Sequence, residues 1–129
     1  MQLRLNIATA LIMVQCCVLI AWPLPEMLSG HSFLEDWPSH AKFHVIWGSG
    51  TLLALSLIVM IVSWFGLRKG EKSAWFVTLI FTVGAQWTVI PARSLYHGPD
   101  WGMVIVGSMV PLVALILSAK PVFKGSIDS

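Results

Sequence analysis

Four apolar runs set the pattern of the chain, at about residues 6–24, 43–67, 74–92 and 101–119. Crossing the hydrocarbon of a bilayer takes roughly 20 such residues in a helix, and each run is about that long. Backbone polar groups in hydrocarbon must be satisfied within the protein, so the runs predict helices. The first, "NIATALIMVQCCVLIAWPL", is interrupted by Pro23 and preceded by Arg4. The segment after it, "PLPEMLSGH", offers no small-residue cleavage site, so a retained helix is expected and not a secretory leader. With no internal repeat and no linker between the runs, residues 1–129 read as one all-α domain, an integral membrane four-helix bundle.

The polar breaks differ in length and chemistry. "SLYHGPDW" is short enough to make the last two helices an antiparallel hairpin. Within it, Gly98 suits a helix C-cap, Pro99 blocks continuation and Asp100 is a good N-cap. The first connection, from Pro23 to about Ser39, is longer and is expected to fold over the mouth of the bundle.

Charge gives the arrangement a direction. Arg4, Arg68, Lys69, Lys72, Lys120 and Lys124 occupy the two termini and the middle connection. The other two connections hold Glu26, Glu35, Asp36 and Asp100, opposed by Lys42 and Arg93. By the excess of Lys and Arg on cytoplasmic segments, both termini are expected in the cytoplasm and the acidic connections outside a bacterial inner (plasma) membrane.

Composition changes the picture by exclusion. The chain is 57% hydrophobic and 11% charged, with a mean hydropathy of +0.80. Water-soluble domains carry about a quarter charged residues, so a soluble globule is not expected. A net charge of +2 without a basic tract gives no footprint for nucleic acid. Cys16 and Cys17 are adjacent within an apolar run, match no metal spacing and read as small hydrophobes. Trp22, Trp37, Trp47, Trp87 and Trp101 fall near one boundary, where tryptophan belts form.

Candidate chemistry lies at the same boundary. His31, His40, His44 and His97 are all the histidines of the chain, and all are expected at the extracytoplasmic end. Pro38 suits a helix start, which puts His40 and His44 one turn apart on one face, the spacing that offers two imidazoles to a single ion. A metal site is expected to draw on His40, His44 and His97, with Glu35, Asp36, His31 or Asp100 completing it. Zinc, copper and iron all suit such a set. A purely interfacial role for these histidines remains open, as does acid–base chemistry or hydrogen bonding to a small lipophilic ligand. His31, Trp37 and Trp47 are candidates to line such a ligand. So are Gln86, Arg93, Tyr96 and Asp100 on the facing segments. Arg93 is expected to snorkel towards headgroups or to pair with Asp100, Glu35 or an anionic group. Thr78, Thr82 and Gln86 form a polar stripe on the third helix, and Pro91 frees the carbonyl of Trp87 beneath the histidines. Gly48, Ser49, Gly50 and Thr51 would permit close helix approach or open a pocket below His44. Gln15 is expected to meet Gln86 across the bundle.

The stretch "WPSHAKFH", Trp37 to His44, resembles the Trp-Pro-x-His-Ala-Lys/Arg-Phe-His signature of a family of small uncharacterised bacterial four-helix membrane proteins. There the motif opens the second helix after an acidic, histidine-bearing loop, so the resemblance implies the same architecture here. Ser39 stands where proline is frequent in that family. There is a fainter similarity to the emopamil-binding/sigma-2 receptor class, which holds sterol-like amines in a helical pocket. That class uses buried mid-helix acids, which this chain lacks.

The residues leave open whether this is an enzyme and point to no particular catalytic group. The leading expectation is a bundle with a histidine- and acid-rich polar site at its extracytoplasmic mouth. The alternative is an accessory subunit of a larger membrane complex or homo-oligomer, with histidines that could ligate haem or chlorophyll. Transport ranks last, because no ionisable group sits in the centre of a run.

Overall fold

The computed structural model describes residues 1–32, 36–91 and 101–124, without the side chains of His31, Ser32 and Gln86. Helix α1 spans Gln2–Ala21 and is followed across Trp22 by the short α2, Pro23–Met27, and a π-helical turn, Leu28–Ser32. Helix α3 spans Ser39–Phe65, and a 3-10 turn, Leu67–Lys69, leads to α4, Lys72–Phe81. The α4 span continues as a π-helical segment, Thr82–Trp87, and ends in helical turn at Pro91. Helix α5 spans Trp101–Lys124. Four of these helical segments are long and apolar enough to cross a membrane, as the four apolar runs predict. The 27 residues of α3 alone reach about 40 Å, longer than the hydrocarbon layer.

Each span packs on its sequence neighbours, and α1 closes the ring by packing along α5. The seams are built from small side chains. Ser49, Ser56 and Ser63 recur every seven residues on α3 and are almost completely buried together with Val59. A seven-residue step returns to nearly the same side of a helix, so these serines form one stripe. Ala8, Thr9, Ile12 and Cys16 form the buried face of α1, and Thr9 Oγ1 lies 3.5 Å from the Ser63 carbonyl. On α5 the buried positions Val104, Ser108, Pro111, Leu115, Ser118 and Val122 alternate four- and three-residue steps, the spacing of left-handed helix packing. Many bulky residues lie outside: Phe43, Trp47, Ile58, Ile61 and Phe65 are all exposed, as expected of lipid-facing positions.

Two indoles pin α4 to α5. Trp75 Nε1 donates to the Leu115 carbonyl at 3.1 Å and Trp87 Nε1 to the Ser108 carbonyl at 3.3 Å. Pro111 has no N–H to give the Gly107 carbonyl, so the hydrogen bonding of α5 is broken one residue before the Ser108 carbonyl, whose second lone pair accepts from the indole. Trp87 is therefore part-buried against α5, one of the boundary tryptophans that faces inward. Helix α5 also runs past its expected end near Ala119, because Pro121 is accommodated within the helix and buried in the seam.

The ends are sorted as well. Gln2 Nε2 donates to the Arg68 carbonyl at 2.9 Å, and Phe123 packs edge-on against Trp75 and Phe76. The start of α1, the α3–α4 turn and the end of α5 thus share one end of the bundle, which carries six of the chain's eight Lys and Arg residues. The start of α3, with its histidines, lies at the other end.

At the basic end the helices approach closely at Gly66. A Cβ there would fall 2.6 Å from Ala74 Cβ and 3.0 Å from the Val62 carbonyl. Gly66→Ala is expected to destabilise the protein by roughly 1–3 kcal/mol, the cost of forcing a packed contact apart. Thermal or denaturant unfolding in detergent against wild type measures it, and an unchanged midpoint would show that α3 and α4 do not meet there.

Candidate functional site

The site begins with a proline. Pro38 caps α3 at φ −55° and ψ 139°, and the Lys42 N–H donates to its carbonyl at 3.2 Å, closing the first turn. Helical geometry from Ser39 onward puts His40 and His44 on one face, one turn apart. Their rings meet edge to face with centroids 4.4 Å apart, and the two Nε2 atoms are 3.0 Å apart. At that distance the two nitrogens cannot both carry a proton. One donates while the other offers its lone pair, or both lone pairs face a common cation. Two imidazoles on one tetrahedral ion, with metal–nitrogen bonds of about 2.0–2.1 Å, have nitrogens about 3.3 Å apart. The separation is a few tenths of an ångström shorter than that of two chelating nitrogens and equally matches a hydrogen bond between the rings.

The rings continue as a ribbon. Phe43 packs edge-on to His44 at 5.6 Å between centroids and stacks on Trp47 at 6.4 Å with an interplanar angle of 20°. Both histidines, Phe43 and Trp47 are exposed on the outer surface of the isolated chain. The four-residue step from Phe43 to Trp47 was the sequence signal for this stack, and the expected ligand set omits Phe43. Asp36 is exposed in the turn before α3, and Trp37 is partly buried.

Of the expected metal ligands, the structure brings His40 and His44 together. Glu35 and His97 lie outside the described residues, as do Arg93, Tyr96 and Asp100 and the capping roles of Gly98 and Pro99. His31 falls in the π-helical turn after α2 and Gln86 in the π-helical segment after α4, and their side chains also lie outside the description. Among the described residues, no three His, Cys, Asp or Glu side chains gather closely enough to hold a metal.

Two supporting expectations take a more definite form. Thr78 and Thr82 do face the bundle interior and are fully buried, but each hydroxyl is spent on its own helix. Thr78 Oγ1 donates to the Ala74 carbonyl at 2.9 Å and Thr82 Oγ1 to the Thr78 carbonyl at 2.8 Å. They satisfy the span's own carbonyls and offer a ligand no donor. Within Gly48–Thr51, Ser49 alone is buried; Gly48 and Gly50 have nothing within 4 Å of where a Cβ would stand. Gly48, Gly50 and Thr51 are exposed, so among the described residues Ser49 is the member of this cluster that serves the seam. Gln15 is buried and its amide nitrogen approaches Gly107 on α5.

Fold and site together define a multi-pass helical membrane protein. No protein-family model matches the chain, and neither the curated proteins nor the solved structures include a significant match.

If the Thr82 hydroxyl serves its own helix, Thr82→Val should change unfolding free energy by less than about 1 kcal/mol, the range of such bonds in membrane helices. A loss well beyond that in a detergent unfolding titration would assign the hydroxyl an interhelical role.

Proposed function

We propose that this protein binds a transition metal through His40 and His44 at the tryptophan-rich end of its bundle. The observation that carries the reading is the 3.0 Å separation of the two Nε2 atoms, on side chains fixed one helical turn apart. Zinc, copper and iron accept imidazole, and two imidazoles leave coordination positions for water, a carboxylate or a further histidine. His97, Glu35 and Asp36 are the candidates from this chain. In this reading the histidine end faces away from the cytoplasm of a bacterial inner membrane. The clustering of Arg4, Arg68, Lys69, Lys72, Lys120 and Lys124 at the opposite end supports that orientation. The likeness of Trp37–His44 to the small bacterial membrane-protein signature fits the same placement.

A second reading rests on the outer face of α3. Phe43, Ile46, Trp47, Ile58 and Ile61 are all exposed, a surface that can pack on another membrane subunit as well as on lipid. Here the histidines belong to an interface, and the protein is an accessory subunit of a larger complex.

Elemental analysis and metal titration of the purified protein separate the two. The metal reading predicts binding that His40→Ala weakens at least about tenfold and His40→Ala/His44→Ala abolishes. Because only neutral imidazole ligates, metal binding should also weaken as the solution is made acid. Wild-type protein that takes up no zinc, copper or iron would remove this reading and leave the accessory one.

A further inference from the structure

We propose that the turn joining α3 to α4 holds the headgroup of an anionic phospholipid, with one acyl chain lying along the outer face of α3. A cavity of about 480 Å³ opens there, lined by Gln2, Trp64, Phe65, Arg68 and Lys69. Two cations and an amide at the rim, with two large rings below, match a phosphodiester above its hydrocarbon. Arg68 is held in place: its guanidinium carbon sits 4.8 Å from the centre of the Trp64 ring, and its carbonyl accepts from Gln2. The backbone of the turn is equally constrained. Lys69 N–H donates to the Gly66 carbonyl and Gly70 N–H to the Leu67 carbonyl, both at 2.9 Å. Gly70 takes the left-handed φ of 82° needed to reverse the chain. Leu67, fully buried immediately before these cations, anchors the turn to the core.

Depth also fits. The cavity lies where a helix longer than the hydrocarbon layer leaves it, the level of lipid phosphates. Exposed Ile61 and Phe65 continue the apolar track down α3. Glu71, the acid nearest in sequence, lines the adjoining groove with Gly66 and Ala74 and not this cavity. Arg4, Lys72, Lys120 and Lys124 add positive charge at the same end. The inference stands whatever the histidine pair binds.

Native mass spectrometry of the full chain, in detergent carrying equal phosphatidylglycerol and phosphatidylcholine, tests it. Wild type should retain phosphatidylglycerol preferentially. Arg68→Gln/Lys69→Gln should lose most of that preference, roughly fivefold for each cation removed. Lys120→Gln/Lys124→Gln removes the same charge from the same end and should keep it. Arg68→Lys/Lys69→Arg should also keep it, which guards against misfolding of the neutral variant. Equal losses in the two neutral variants would reduce the effect to diffuse attraction and overturn the site. So would an undiminished preference in Arg68→Gln/Lys69→Gln.

Discussion

Close contact between small side chains is the constraint on which the rest of this structure depends. Lipid tails are as apolar as leucine, so hydrophobic burial does not draw one membrane helix onto another. What remains is packing at short range, and most of the fully buried positions here are small, Ala8, Cys16, Ser56, Ser63, Ala114 and Ser118 among them, with Ile12 and Leu67 the larger exceptions. Several of the serines contribute size and not bonding. Among the described residues, the hydroxyls of Ser49, Ser56, Ser63 and Ser108 have no hydrogen-bond partner, whereas Ser118 Oγ donates to the Ala114 carbonyl at 2.7 Å. A serine without a partner is useful in a seam because it lets two backbones approach.

That seam fixes what happens at the ends. A ring of four spans held along its length puts the start of α1, the α3–α4 turn and the end of α5 together, and gives the first turn of α3 a definite height at the opposite end. The two polar regions of the molecule are thus separated by the length of a helix. One is an aromatic and imidazole ribbon on a single helical face; the other is a constrained basic turn above exposed rings. Their chemistries are independent, and each is built from residues within a few positions of a helix end, where the backbone leaves the hydrocarbon.

Much of this was legible in the sequence, for a simple reason. Spanning helices require only length and apolarity, so the four runs and the pairing of the basic segments could be read directly. The His40–His44 pair was equally legible, because a four-residue step after Pro38 has one geometric outcome on a helix. Helix ends were less so: α5 continues through Pro121 because a proline can be absorbed in a buried seam, which the residue type alone does not reveal. The destination of polar side chains was the hardest part. Thr78 and Thr82 look like a stripe facing a site, yet a threonine hydroxyl can reach its own helix's carbonyl with no second helix. Trp87 lies at the level of a tryptophan belt, yet α5 places the Ser108 carbonyl within reach of its indole. Local rotamers and neighbouring backbone decide such cases, and spacing carries little of that information.

The most direct measurement is a leucine substitution series along α3 in reconstituted bilayers, read as thermal unfolding. Ser49, Ser56 and Ser63 are compared with Gly48, Gly50 and Ala54 on the exposed side of the same helix. Leucine at the three serines should sharply lower the unfolding temperature, while alanine there is tolerated and leucine at the exposed positions has little effect. If leucine were instead harmless at the serines and damaging at Gly48, Gly50 and Ala54, the opposite face of α3 would form the seam and this packing would be wrong.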